Sequence, residues 1–121
     1  MSEPVPHVSD QSFGADVLQS ETPVLVDFYS TSCFPCKRLV PILEEMAKET
    51  DGRLKIVKLD TSESPGITER FGVMAVPTLI LFKSGKEAYR RVGVTEKRIL
   101  DAAIQPLIAP PGDAGTPPGG R

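Results

Sequence analysis

Cys33 and Cys36 stand in Thr31-Ser32-Cys33-Phe34-Pro35-Cys36-Lys37-Arg38 and are the only two cysteines of the chain. Thiols at this spacing can close a small ring through a disulfide and open it again. The attacking species in such exchange is the thiolate, so one cysteine must be held at a lowered pKa. A strand-like run precedes the pair and a helix-like run follows it. A cysteine at the start of a helix meets unpaired backbone N–H groups and the positive end of the dipole, and both favour the thiolate. Pro35 suits a first helical turn, where its missing donor costs nothing. Lys37 and Arg38 add positive charge nearby. In that setting Cys33 attacks a partner disulfide to give a mixed disulfide, and Cys36 attacks Cys33 to release the reduced partner.

Other uses of the pair are weaker. A zinc site needs about four ligands, and only His7, remote in sequence, could join these cysteines. A metal or cluster shared between the pairs of two chains stays open as a minor alternative. A purely structural disulfide across so short a loop would constrain little of the unfolded chain. In a reducing compartment a lone vicinal pair reads as catalytic.

Asp27 is the second candidate. It interrupts Val24-Leu25-Val26-Asp27-Phe28-Tyr29, and a carboxylate buried in such a run resists ionisation, which raises its pKa. The alternative is an Asp facing outward from a half-exposed strand.

The elements that would position these groups follow from pattern and punctuation. Ser9-Asp10 predicts an N-cap for a short helix ending near Ser20, and residues 24–29 a buried strand. Leu39, Ile42, Leu43 and Met46 recur at helical spacing, so a helix runs to about Glu49, with a kink expected at Pro41. A second strand spans 54–59. Ser64-Pro65 opens a shorter helix to Phe71 with Gly72 as its C-cap. A third strand spans 77–82, a turn 83–86, and an antiparallel partner 87–92. Thr95 can cap a last helix carrying Ile99, Leu100, Ala103 and Ile104, with Pro106 limiting its length. This order predicts an α/β fold: a mixed sheet covered by helices on both faces.

The chain has 121 residues, 40% of them hydrophobic and 25% charged, with a formal charge of −2. That fits one domain and gives no electrostatic case for nucleic acid or an anionic membrane. No apolar run approaches the roughly 20 residues a bilayer demands. The start, Met1 to His7, lacks the charged and apolar regions of a signal peptide and reads as cytoplasmic. The expected organisation is an N-terminal extension at 1–7, a domain at 8–108 and a Pro/Gly-rich disordered tail at 109–121.

Over roughly Val8 to Leu107 these segments resemble the thioredoxin family. The resemblance rests on Val24-Leu25-Val26-Asp27-Phe28, Cys33-x-Pro35-Cys36-Lys37 with Pro41 after it, Lys58-Leu59-Asp60, Phe71-Gly72-Val73, Val76-Pro77-Thr78-Leu79, Phe82-Lys83-Ser84-Gly85 and Val92-Gly93. It implies a thioredoxin fold and a protein disulfide reductase, with no bound cofactor. Its partners would be disulfide-bearing proteins and a thioredoxin-reductase-like flavoprotein drawing on NADPH, and it would act as a monomer. It also implies that Asp27 lies beneath Cys36 and takes its proton through a water, and that Lys58 pairs with Asp27. Val76-Pro77 would be a cis bond facing the cysteines, its backbone binding an extended substrate segment. From the residues themselves, Phe34, between two cysteines at a helix start, reads as an exposed apolar contact for partners, Pro35 adjoins it, and Gly93 would let a substrate chain approach closely. The sequence departs from the family at Ser32 and Phe34, where Trp and Gly are usual. Two alternatives therefore stand beside the reductase: an exchanger of altered redox potential, and a thioredoxin-like binding module with idle cysteines.

Overall fold

The computed structural model describes residues 5–108, so the proline- and glycine-rich segment expected to be a disordered tail lies outside the described residues. A helical segment of π geometry at Gly14–Leu18 precedes strand β1 (Val24–Tyr29), helix α1 (Phe34–Glu49), strand β2 (Lys55–Asp60), helix α2 (Pro65–Arg70), strands β3 (Thr78–Lys83) and β4 (Lys86–Val92), and helix α3 (Lys97–Ile108). The sheet order is β2-β1-β3-β4. β2 runs parallel to β1, while β3 and β4 are antiparallel to their neighbours.

Alternation along β1 explains how one sheet holds two cores. Val24, Val26 and Phe28 face a cluster with Phe13, Val17, Ile67, Ile80 and Phe82, supplied partly by the N-terminal helical segment and α2. Leu25 faces the other way, into a cluster with Leu39, Leu43 and Met46 of α1 and Leu100, Ile104 and Ile108 of α3. Both faces of β1 are thus covered, and the continuous apolar run Val24-Leu25-Val26 is what such a position requires. Asp27 falls on the α1 side by the same alternation. The rings of Phe13, Phe71 and Phe82 meet at centroid distances of 5.1–5.6 Å.

Several local details differ from what the sequence pattern predicts. Of the Ser9-Asp10 pair, Ser9 caps the N-terminal segment, its Oγ accepting from Ser12 N–H at 3.4 Å, and Asp10 does not. Its carboxylate accepts from the Gly66 and Ile67 N–H groups at 3.0 and 2.8 Å, while its own N–H donates to Ser64 Oγ at 3.1 Å. It therefore supplies the cap of α2, whose N-cap residue Ser64 makes no side-chain capping bond. Asp10→Ala is expected to destabilise the fold by about 1–2 kcal/mol, the usual worth of a helix cap. Urea melts of both proteins check this, and an unchanged midpoint would show that α2 needs no cap from Asp10.

Thr95 does not cap α3 either: the helix begins at Lys97, and the Glu96 carbonyl accepts its first bonds, from Ile99 and Leu100 N–H at 3.1 Å each. Thr95 Oγ1 is buried without a hydrogen-bond partner among the described residues. Pro106 lies inside the last helix, which is described to Ile108. The proline forfeits one backbone bond, but Ile104 and Ile108 are buried against α1, and packing holds the final turn. Residues 5–7, ahead of the boundary expected at Val8, lie against the sheet. Lys58 N–H donates to Pro6 O, Val8 N–H donates to Lys58 O, each at 2.9 Å, and Val5 is buried.

Candidate active site

The strand directions gather the candidate residues at one end of the sheet. β1 and β2 leave the sheet side by side, Tyr29 opposite Asp60. Because β3 is antiparallel to β1, with Phe28 opposite Thr78, the loop entering β3 arrives at that same end. Thr78 is also opposite Val92, which brings the β4 exit and Gly93 there too. Ligand sites favour such a carboxyl edge because loops from several strands converge on it.

The chain turns at Ser30, whose carbonyl accepts from Cys33 N–H at 3.2 Å, and α1 starts directly afterwards. Cys33 is the N-cap of α1 in an extended conformation, and its Sγ accepts from Cys36 N–H at 3.1 Å. Cys33 and Cys36 are joined by a disulfide, with Cα atoms 5.3 Å apart. On reduction the Cys33 sulfur would remain that of the helix N-cap residue. There it meets a backbone donor and the positive end of a 16-residue helix, two influences that stabilise negative charge. Both cysteines are nearly covered, at 8% and 3% exposure. Phe34 between them stands out into solvent, and Pro35 fills the first turn.

Asp27, which lines a cavity together with Cys36, is 4% exposed. Its Oδ1 has no hydrogen-bond partner among the described residues. Burial pushes its pKa from 3.8 up to about 7, with the Lys58 charge pulling weakly the other way. Asp27 and Lys58 are opposite one another in the parallel β1–β2 ladder. Asp27, Lys58, Cys36, Tyr29 and Val40 line one cavity of about 280 Å³, roomy enough to admit water.

The Val76–Pro77 peptide bond is cis, as the resemblance implied. Thr78 Oγ1 donates to Ala75 O at 2.6 Å, and Gly93 N–H donates to Pro77 O at 2.8 Å, tying the loop to the β4 exit. Gly93 has φ +95°, a conformation that favours glycine, although a Cβ there would meet nothing within 4 Å. A second cavity of about 240 Å³ is lined by Ser30, Thr61, Thr68, Val73, Met74, Ala75 and Val76. Ser30 borders both cavities.

Each residue expected at the site thus lies at this end of the sheet. Three others join them that the sequence pattern does not single out. Tyr29 lines the Asp27 cavity, and its Oη shares a hydrogen bond of 2.8 Å with His7 Nε2. Its alternation with Asp27 along β1 is the signal that could have found it. Met74 and Val40 are exposed apolar residues near the loops, at 94% and 41%, and only their lack of a place in any buried face could have marked them. Among the described residues no group of three or more His, Cys, Asp or Glu side chains is placed to hold a metal, and no helix is long and apolar enough to cross a membrane.

Comparison with known proteins agrees with this geometry. The thioredoxin family model matches residues 4–106. A thioredoxin of Acidithiobacillus ferridurans is 45% identical over 104 residues, covering 86% of this chain and 96% of its own length. A Synechocystis thioredoxin is 41% identical over 103 residues, 85% of this chain and 96% of that one. The M-type chloroplast thioredoxin of spinach is 38% identical over 106 residues, 88% of this chain and 59% of that one. With the family model spanning nearly the whole described domain and a cysteine pair bonded at the start of α1, the chain belongs to the thioredoxin family, the protein-disulfide oxidoreductases.

Proposed function

We propose that Cys33 is the attacking sulfur of a thioredoxin-type protein disulfide reductase and Cys36 the resolving one. The observation that carries this assignment is the Cys36 N–H directed at Cys33 Sγ at the N-terminus of α1. In the reduced protein the Cys33 thiolate attacks one sulfur of a substrate disulfide, and the other sulfur leaves as a thiolate. Cys36, once deprotonated, attacks Cys33 Sγ. The Cys33–Cys36 disulfide forms, the mixed disulfide breaks, and the second substrate thiolate departs. The substrate gains two electrons, and its thiolates take up protons.

Asp27 is the group that takes the Cys36 proton, through a water in the shared cavity, and a pKa of about 7 suits it to that exchange near neutral pH. Lys58 tunes the carboxyl by its charge. Phe34, Pro35, Val76, Pro77 and Gly93 form the surface on which an extended substrate segment lies, with the Val76 backbone pairing as in strand addition. Electrons return from NADPH through a thioredoxin-reductase-like flavoprotein, and the protein works as a cytoplasmic monomer on disulfide-bearing proteins.

Insulin reduction tests the reading with two electron sources. With dithiothreitol the protein is expected to accelerate precipitation of the insulin B chain catalytically. With NADPH and a bacterial thioredoxin reductase it is expected to do the same. No acceleration in either arm would favour a binding module with idle cysteines, whereas success with dithiothreitol alone would reject the reductase as donor.

A further inference from the structure

The loop leading to the cis bond carries a side chain whose exposure neither the fold nor the exchange chemistry requires. Met74 is 94% exposed, more than any other exposed large apolar residue of the described chain. It lines the groove of about 240 Å³ that runs past Val76 to Ser30. The Ser30 carbonyl accepts from Cys33 N–H, so the groove shares a residue with the turn that leads into the disulfide. None of the groove's lining residues is ionisable.

Other apolar side chains reach solvent at this end of the sheet. Phe34, beside Cys33, is 79% exposed, and Val92 and Val94, flanking Gly93, are 60% and 38% exposed. They come from separate segments that the sheet topology gathers together. An apolar group left in water at such a place gains free energy when a partner covers it. A charged partner side chain would find no counter-charge in the groove, whose polar side chains are the hydroxyls of Ser30, Thr61 and Thr68, whereas Met74 itself is best covered by an apolar flank.

We infer that Met74 is a specificity-determining residue that favours substrates with an apolar side chain next to the attacked cysteine. The occupant is an extended disulfide-bearing segment whose apolar flank covers the thioether. An unbranched, polarisable side chain fits flanks of differing shape, which suits a reductase that must accept several partners. The inference rests on the reading of Cys33–Cys36 as the exchange site.

The test uses two disulfide-linked peptides of identical sequence except that leucine flanks the cysteine in one and glutamine in the other. Both are neutral, so charge steering by Lys37 and Arg38 drops out. The unaltered protein is expected to reduce the leucine peptide with a kcat/KM about tenfold higher, the scale of discrimination one apolar contact supplies. Met74→Gln is expected to bring that ratio to within about twofold of unity, and Met74→Leu to restore most of it. Equal rates on the two peptides with the unaltered protein would overturn the inference alone. So would a full preference surviving in Met74→Gln. Failure to reduce either peptide would overturn the exchange-site reading and the inference with it.

Discussion

Replacing Cys33 by serine is expected to abolish insulin reduction, by on the order of 10³-fold or more, because an alcohol does not form the nucleophilic anion that a thiol does near neutral pH. Cys36→Ser is expected to be equally silent in turnover, for a different reason. Its Cys33 would be left unpaired at the helix start, able to attack once and unable to finish. The two variants separate the roles in a way turnover alone does not. After reaction with a substrate disulfide, Cys36→Ser would carry a covalent adduct and Cys33→Ser would not. The difference depends on placement more than on residue type. Cys33 is the N-cap and receives the backbone donor, whereas Cys36 lies within the first turn and borders the Asp27 cavity.

Asp27 carries the second large effect, and it shows in two observables of opposite sign. Burial holds its folded-state pKa at about 7, above the ordinary 3.8. The folded protein therefore keeps a proton that the unfolded chain gives up between about pH 4 and pH 7. Stability from this group is fully present below the unfolded pKa and is lost as pH rises through the folded one. The difference is about three pH units at about 1.36 kcal/mol each, so ionised Asp27 costs the fold about 4 kcal/mol above pH 7. Asp27→Asn is expected to remove that pH dependence and to be the more stable protein at pH 8, by a few kcal/mol on this scale. Urea unfolding at pH 5 and pH 8 checks it, and identical pH profiles for the two proteins would refute the buried-carboxyl account.

The same substitution is expected to slow disulfide reduction by about 10²–10⁴-fold, the usual worth of a positioned acid–base group. A buried carboxyl with a raised pKa that lines the same cavity as Cys36 supports the proposed proton transfer. An unaltered rate in Asp27→Asn, alongside the expected gain in stability, would make Asp27 a buried charge without a catalytic role.

Much of this is legible in the sequence because the strongest signals are local. The run Val24-Leu25-Val26 needs covering on both faces, so β1 and its central place follow from the residue pattern itself. Asp27 is conspicuous because it is a carboxylate in such a run, and alternation fixes the face it shares with α1. The cysteine motif announces the helix start through Pro35. What is not legible depends on distant parts of the chain or on conformations that residue types do not encode. The isomer of Val76–Pro77 is reachable only through family resemblance, since X-Pro sequences take either form. Asp10 caps a helix more than 50 residues away, whereas its local context suggests a cap for its own segment. Met74 belongs to no periodic face, and its exposure beside the groove emerges only when the loop is placed against Ser30 and Thr61.

The central claim, that Cys33 is the sulfur a substrate meets, is tested most directly by intact-mass and peptide mapping of Cys36→Ser after incubation with a disulfide-bonded protein. The account predicts one substrate adduct, released by dithiothreitol and mapped to the peptide containing Cys33. Its absence, in a variant shown by thiol labelling to have Cys33 free, would contradict that claim.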